Sequence, residues 1–300
     1  MWLPTFVCPE CDTPLDRSAE DTLVCAPCGR RYERQNGVWR FLSGARRARL
    51  ERFAQQYRAV RSKEGRRSIS ADDYRTLPSV APGDPHAREW QVRGETYRHL
   101  LQHVLATGRQ PSAILDLGAG SGWLAHRLAL LGHCVAAVDA LEDEYDGLGA
   151  VRHYATPIVA IQADFDALPL ARAQFDVVIF NGSLHYASDA GSSLARAHHM
   201  LAAGGTLVVM DSPMFRADED GAAMVAQTLR RFADEYGVVD AVPAGCGYLT
   251  FRSLDASADA LRLRTRFVPS RGPLVWRLGR NIARLRLGRQ PAAFGLWVAR

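Results

Sequence analysis

The 300 residues are 47% hydrophobic, 23% charged and 9% aromatic, the make-up of a globular chain long enough for a main domain and an accessory piece. No apolar run reaches the roughly 18 residues of a membrane-spanning helix. The start, MWLPTFVCPECD, lacks the regions of a secretory signal, so a cytoplasmic address is expected. The formal charge of +5 is unevenly spread: residues 45–70 hold 9 basic and 2 acidic groups, 71–261 hold 13 and 24, and 262–300 hold 10 and none. Such segregation suits an anionic partner, nucleic acid or membrane surface, or basic parts packed beside an acidic body. Since 36 of the 37 basic residues are arginine, arginine clusters alone discriminate poorly.

Four cysteines fall within the first 28 residues, as Cys8-x2-Cys11 and Cys25-x2-Cys28 with 13 residues between the pairs. Each pair can form a tight knuckle, and two knuckles offer four thiolates to a tetrahedral Zn²⁺. A disulfide framework is the competing use, disfavoured in a chain without an export signal. Four thiolates leave no open coordination position, so the metal is expected to be structural, folding some 40 residues that cannot build an adequate core alone. Cys134 and Cys246 read as separate, inert thiols. The second knuckle, then GRRYERQNGVWRFL, resembles the Trm112-like zinc ribbon, which occurs alone as a methyltransferase activator and fused in front of methyltransferases. The resemblance covers residues 6–43 and departs from the family at Arg34-Gln35-Asn36.

Residues 45–67 have helical spacing (Leu50, Phe53, Tyr57, Val60). SVAPGDPH is a break, and residues 88–107 resume a helix with Trp90, Tyr97, Leu100, Leu101 and Val104 on one side. After Pro111, short apolar strands alternate with helices: AILDLG, CVAAVDA, PIVAIQADF, FDVVIFNG and GTLVVMD, with AAFGLWVAR as the last strand. Buried Val/Ile-rich runs in this rhythm predict a parallel sheet with helices on both faces. The division expected is a zinc ribbon at 1–44, a helical linker or lid at 45–110, and an α/β core at 111–300 with a substrate-side insertion around 214–270.

ILDLGAGSG ends a strand at Leu117 and turns through Gly118, Gly120 and Gly122 into a helix. Ligands bind at this edge of an open α/β sheet, and glycine there permits unusual φ values and close backbone approach. The spacing is GxGxG, without the extra room a dinucleotide pyrophosphate needs. Asp116, two residues before the first glycine, would repel a phosphate and suits a ligand with a cationic amino group. Asp139 ends the second strand 17 residues after Gly122, where a carboxylate can take both hydroxyls of a ribose.

DLGAGSG resembles the first signature motif of class I S-adenosylmethionine (SAM) dependent methyltransferases, and the later motifs follow in register through residue 213. The D-x-x-x-LPL after the third strand resembles the methyltransferase type 11 group. The resemblance implies a Rossmann-like, seven-stranded, mostly parallel sheet. It also implies SAM contacts from Asp116, Gly118, Ala119, Gly120, Gly122, Asp139, Ala140 and Asn181, with Asp164 at the adenine amino group and Phe165 beside the ring.

Methyl transfer requires alignment of the nucleophile and exclusion of water, and a base assists an oxygen or amine nucleophile. His185, just after the fourth strand, is the candidate base by sequence, against a hydrogen-bonded loop histidine. The NPPY-like signature of amino methylation on nucleic acids is absent; Asn181-Gly182-Ser183-Leu184 stands there. A small-molecule acceptor is the first reading. RNA is the second, because 23S rRNA guanine-N1 methyltransferases also place a zinc ribbon before a class I domain, although theirs uses three cysteines and a histidine where this chain has Cys28. A non-enzymatic adaptor is the third. At 274–288, Val275, Leu278, Ile282 and Leu285 recur at helical spacing among arginines, a helix that can dock on the body or lie on an anionic membrane surface.

Overall fold

The computed structural model describes residues 2–42, 44–65, 70–107, 110–238 and 245–300; the expected helix over 45–67 and the insertion around 214–270 each extend partly outside them. Four short strands open the chain: β1 (Asp16–Ala19), β2 (Thr22–Val24), β3 (Arg31–Gln35) and β4 (Val38–Arg40), each antiparallel to the next. Three helices follow: α1 (Gly44–Lys63), α2 (Ala71–Thr76) and α3 (Ala87–His103). Ser70 starts α2 with a capping box, its hydroxyl taking the Asp73 N–H while the Asp73 carboxylate takes the Ser70 N–H. Helix α3 fully buries Val92, Thr96 and Leu100 and partly buries Trp90, Tyr97 and Leu101, so it is covered on more sides than its apolar stripe alone predicts.

The core then runs β5 (Ala113–Leu117), α4 (Trp123–Leu130), β6 (Cys134–Asp139), β7 (Ile158–Gln162), β8 (Phe175–Asn181), α5 (Ala190–Met200) and β9 (Leu201–Met210). It closes with β10 (Met214–Phe215), α6 (Asp218–Tyr236), β11 (Leu249–Thr250), α7 (Phe251–Ala260), β12 (Thr265–Pro269), α8 (Leu274–Leu287) and β13 (Gly295–Ala299). One sheet carries the order β1-β2-β3-β4-β7-β6-β5-β8-β9-β13-β12, and β10 pairs with β11 apart from it. From β4 to β9 every neighbour pair is parallel, whereas β13 runs antiparallel to both β9 and β12. The seven expected core strands are thus present, and the opening strands lengthen their sheet to eleven.

The near-continuous apolar runs of β5 to β9 follow from burial on both faces. One face packs Leu115, Leu117, Val178 and Phe180 against α5 and α7; the other packs Ile114, Val135, Ile179 and Val208 against α3 and α4. The opening strands share the first of these cores: Phe6 stacks on Phe41 and meets Trp39 at a tilt, and the three pack with Val159, Ile161 and Leu170. Chain order reverses between β5, which leads through β6 to β7, and β8 on its other side, and the crevice at such a switch point is where ligands bind.

Candidate functional site

The turn after β5 is left-handed at all three glycines, with φ of 71° at Gly118, 55° at Gly120 and 74° at Gly122. The reason for glycine differs between positions. A Cβ at Gly118 would lie 2.3 Å from Cβ of Ser183, whose hydroxyl donates to the Leu117 carbonyl at 2.5 Å. At Gly120 the nearest atom is the Asp146 carbonyl, 3.3 Å away. Gly122 begins α4 and faces Val151, away from the crevice, so its φ rather than a ligand requires glycine.

Three carboxylates surround this turn. Asp139, at the end of β6, accepts from the Gly120 N–H and the Leu141 N–H, both at 2.8 Å. Burial nevertheless pushes its carboxyl up to about 6. Asp116 is fully buried in β5 and both its oxygens lack a hydrogen-bond partner. Burial first, and the Asp139 charge second, push it up to about 7. Asp164 follows β7, takes the Asp166 N–H at 2.9 Å and pairs with Arg46 of α1 at 3.2 Å.

Asp139 and Asp164 open into a cavity of about 500 Å³, with Asp116 behind its floor. Its floor is the Gly118–Ser121 turn, with the strand ends at Asp139–Leu141, Asp164–Asp166 and Asn181–Ser183. Helix α1 roofs it with Phe53, Tyr57 and Arg61, and α3 contributes Trp90 and Arg93. Phe53 and Tyr57 each pack on Tyr186, with ring centroids 5.7 and 6.2 Å away. Arg61 donates to the buried Asp146 through Nε at 2.9 Å and Nη2 at 2.6 Å, leaving the other Asp146 oxygen without a partner.

Residues 115–209 match the family model of the methyltransferase domain. Over this segment the chain is similar to methyltransferase domains. An uncharacterized methyltransferase of Mycobacterium tuberculosis is 35% identical over 114 residues, so the chain spans 38% of itself and 56% of that relative. A malonyl-[acyl-carrier protein] O-methyltransferase of Enterobacter lignolyticus is 26% identical over 192 residues, 61% of this chain and 69% of that one. The crystal structure of an S-adenosylmethionine dependent methyltransferase from Mesorhizobium loti matches with TM-score 0.50 at 19% identity, over 70% of this chain and 99% of that one, a likeness of fold.

The cavity brings together Gly118, Ala119, Gly120, Asp139, Ala140, Asp164, Phe165 and Asn181, while Asp116 and Gly122 lie behind its surface. His185 is not among the lining residues. Its buried ring hydrogen-bonds Ser212 through Nδ1 at 3.2 Å and packs 4.1 Å from the Tyr186 ring. Burial brings it down to about 3, which makes this imidazole neutral and a poor proton acceptor near neutral pH. The geometry therefore sets His185 apart from the base expected at this position. Asp146, Arg61 and Tyr145, which the sequence did not single out, do line the cavity. Asp146 follows β6 by seven residues with no motif around it, and Arg61 reaches it only because α1 folds back over the sheet.

Ahead of the domain, the two cysteine pairs form equivalent knuckles. Asp12 and Gly29, each just after a second cysteine, are left-handed (φ 54° and 69°) and donate their N–H to the Cys8 and Cys25 carbonyls, both at 2.8 Å. The four Sγ atoms converge to within 4.8 Å of one another. A tetrahedron with Zn–S of about 2.3 Å has sulfur edges of about 3.8 Å, and Cys8 Sγ lies 3.8 Å from Cys28 Sγ. Hydroxyls of Tyr32 and Thr13 sit 3.3 Å from Cys8 and 3.4 Å from Cys25, placed to orient the sulfurs. The N-terminal strands are tied to the segment after β6 by Arg40 of β4, which pairs at 2.7 Å with Glu142, the neighbour of the cavity-lining Leu141.

Proposed function

We propose that the chain is a SAM-dependent methyltransferase acting on a small-molecule acceptor. The observation that carries the reading is Asp116: a fully buried carboxyl with two unpartnered oxygens beneath a left-handed glycine turn. An unsatisfied buried carboxylate is costly unless a cation completes it. A ligand with an ammonium group, a ribose and no phosphate fits this acidic floor. Asp116 would serve the amino-acid end, Asp139 the ribose hydroxyls, and Asp164 with Phe165 the adenine; Asn181 keeps an unpartnered oxygen at the same edge. When bound, SAM supplies an electrophilic methyl group on its sulfonium.

The chain's own part in catalysis is orientation and dryness. Phe53, Tyr57, Tyr186 and Trp90 form an aromatic wall where an acceptor would lie, and such walls exclude water and hold flat or apolar groups. Burial raises the hydroxyls of Tyr57 and Tyr186, which stay protonated at neutral pH and act as hydrogen-bond donors. We assign His185 to positioning, since it backs the Tyr186 ring. The small-molecule reading gains over RNA from three of the six arginines of α1: Arg46, Arg58 and Arg61 are paired with Asp164, Glu51 and Asp146. The named acceptor of the Enterobacter relative, malonyl-[acyl-carrier protein], likewise is not a nucleic acid. We further propose that Cys8, Cys11, Cys25 and Cys28 hold one structural Zn²⁺.

Calorimetric titration with S-adenosylhomocysteine tests the cofactor. Micromolar binding is expected, lost in Asp139→Ala and in Asp164→Ala with native circular dichroism. No binding to folded, metal-loaded wild type would overturn the proposal. Metal analysis of protein purified without chelator should find one zinc per chain, and substantially less would remove the metal assignment.

A further inference from the structure

Among the described residues, helix α8 is held to the body by one side. Trp276 packs toward Phe294 with centroids 6.4 Å apart, and Arg280 lies over both rings at 4.3 and 5.8 Å and hydrogen-bonds the Ala292 carbonyl. At 100° per residue, Trp276 and Arg280 share a docked edge, while Leu274, Val275, Leu278 and Ile282 fall within an arc of about 100° on the opposite side. Those four are 70%, 62%, 62% and 51% exposed, four of the six large hydrophobics left exposed among the described residues. The Leu285 side chain lies outside them. A cluster of this kind marks an interaction surface.

Charge says what it meets. Arg277 and Arg284 border the apolar arc on one side and Arg286 on the other. All three are exposed, and residues 262–300 contain ten arginines and no acidic residue. A two-fold contact between copies through this face would set the arginine borders against each other with no carboxylate of the segment between them. The helix is 14 residues long, about 21 Å, too short to cross a bilayer and suited to lying along one. We propose that the exposed face of α8 is an interfacial anchor that seats the protein on an anionic lipid surface, its four aliphatic side chains entering the acyl boundary and Arg277, Arg284 and Arg286 meeting the headgroups.

The test is co-sedimentation of the full chain with vesicles of phosphatidylcholine alone or with phosphatidylglycerol added. Binding is expected only with the anionic lipid and should weaken as salt rises. Replacing Arg277, Arg284 and Arg286 together by Gln should lower the partition coefficient roughly a hundredfold, at about fivefold per arginine. The exposed pair Leu278→Asp and Ile282→Asp should abolish pelleting while leaving thermal unfolding unchanged. No pelleting above a vesicle-free control, equal pelleting with neutral vesicles, or indifference to the double substitution overturns the proposal. So does light scattering that shows a dimer broken by the double substitution without any vesicle binding, which would assign the face to a second copy.

Discussion

Asp116 offers the sharpest test, because the property that would make it useful to a cationic ligand should make it harmful without one. Its ordinary value of 3.8 rises to about 7 in the fold, chiefly through burial. A carboxyl with a raised folded value leaves stability intact while both states are protonated, then costs stability as pH climbs from the unfolded value to the folded one. At about 1.36 kcal/mol per pH unit, the full penalty is about 4 kcal/mol, of which about 3 kcal/mol accrues between roughly pH 5 and pH 7. Asparagine has the same shape and no proton to lose. In urea unfolding of the ligand-free protein, Asp116→Asn should therefore gain on wild type by about 3 kcal/mol across that interval and hold its lead above it. Saturating S-adenosylhomocysteine should close the gap, since the variant forfeits a charge-assisted contact and roughly tenfold or more in affinity. Stability differences that do not vary with pH would refute the claim that a buried, uncompensated carboxylate underlies the turn.

Gly118→Ala should destabilise by about 3 kcal/mol, from the Ser183 clash and the left-handed φ together. Adding Ser183→Gly should recover the clash and leave about 1 kcal/mol of backbone strain; equal midpoints for single and double variants would show that Ser183 is not the constraint. His185→Ala should lower thermal stability by about 1–3 kcal/mol while leaving S-adenosylhomocysteine affinity within about threefold, and an unchanged midpoint would refute its packing role. Removing the metal with a chelator under reducing conditions should weaken S-adenosylhomocysteine binding, because Arg40 connects the ribbon to Glu142 beside the cavity. Identical affinity before and after removal would separate the ribbon from the site.

Features written in a few consecutive residues were legible in the sequence. The GxGxG turn, the carboxylates that close β6 and β7 and the two cysteine knuckles each depend on backbone geometry within a short window, so their side chains converge as spacing implies. What needed the fold was every contact made across it. Asp146 acquires its place from Arg61, 85 residues earlier, and the parallel pairing of β4 with β7 joins segments some 120 residues apart. His185 sits one residue before Tyr186, yet the ring of one is turned to Ser212 and the other to the cavity. That choice is made by packing against β9's end and leaves no trace in the local sequence. Strand β12 was invisible for a related reason: TRFVP is mostly exposed and becomes a strand by pairing with β13.

The pairing of β4 with β7 carries one more consequence. In an open parallel sheet, Ile158–Gln162 would be an outermost strand of five buried residues, four of them apolar, offering a free row of backbone donors and acceptors to any other chain. The ribbon occupies that row, and its antiparallel strands step the exposed border outward to β1, whose four residues are all exposed. A protein cut to begin at residue 45, or one whose ribbon unravels, would thus fail by sticking to itself before it failed by losing affinity, and the cysteine knuckles act as a guard on solubility.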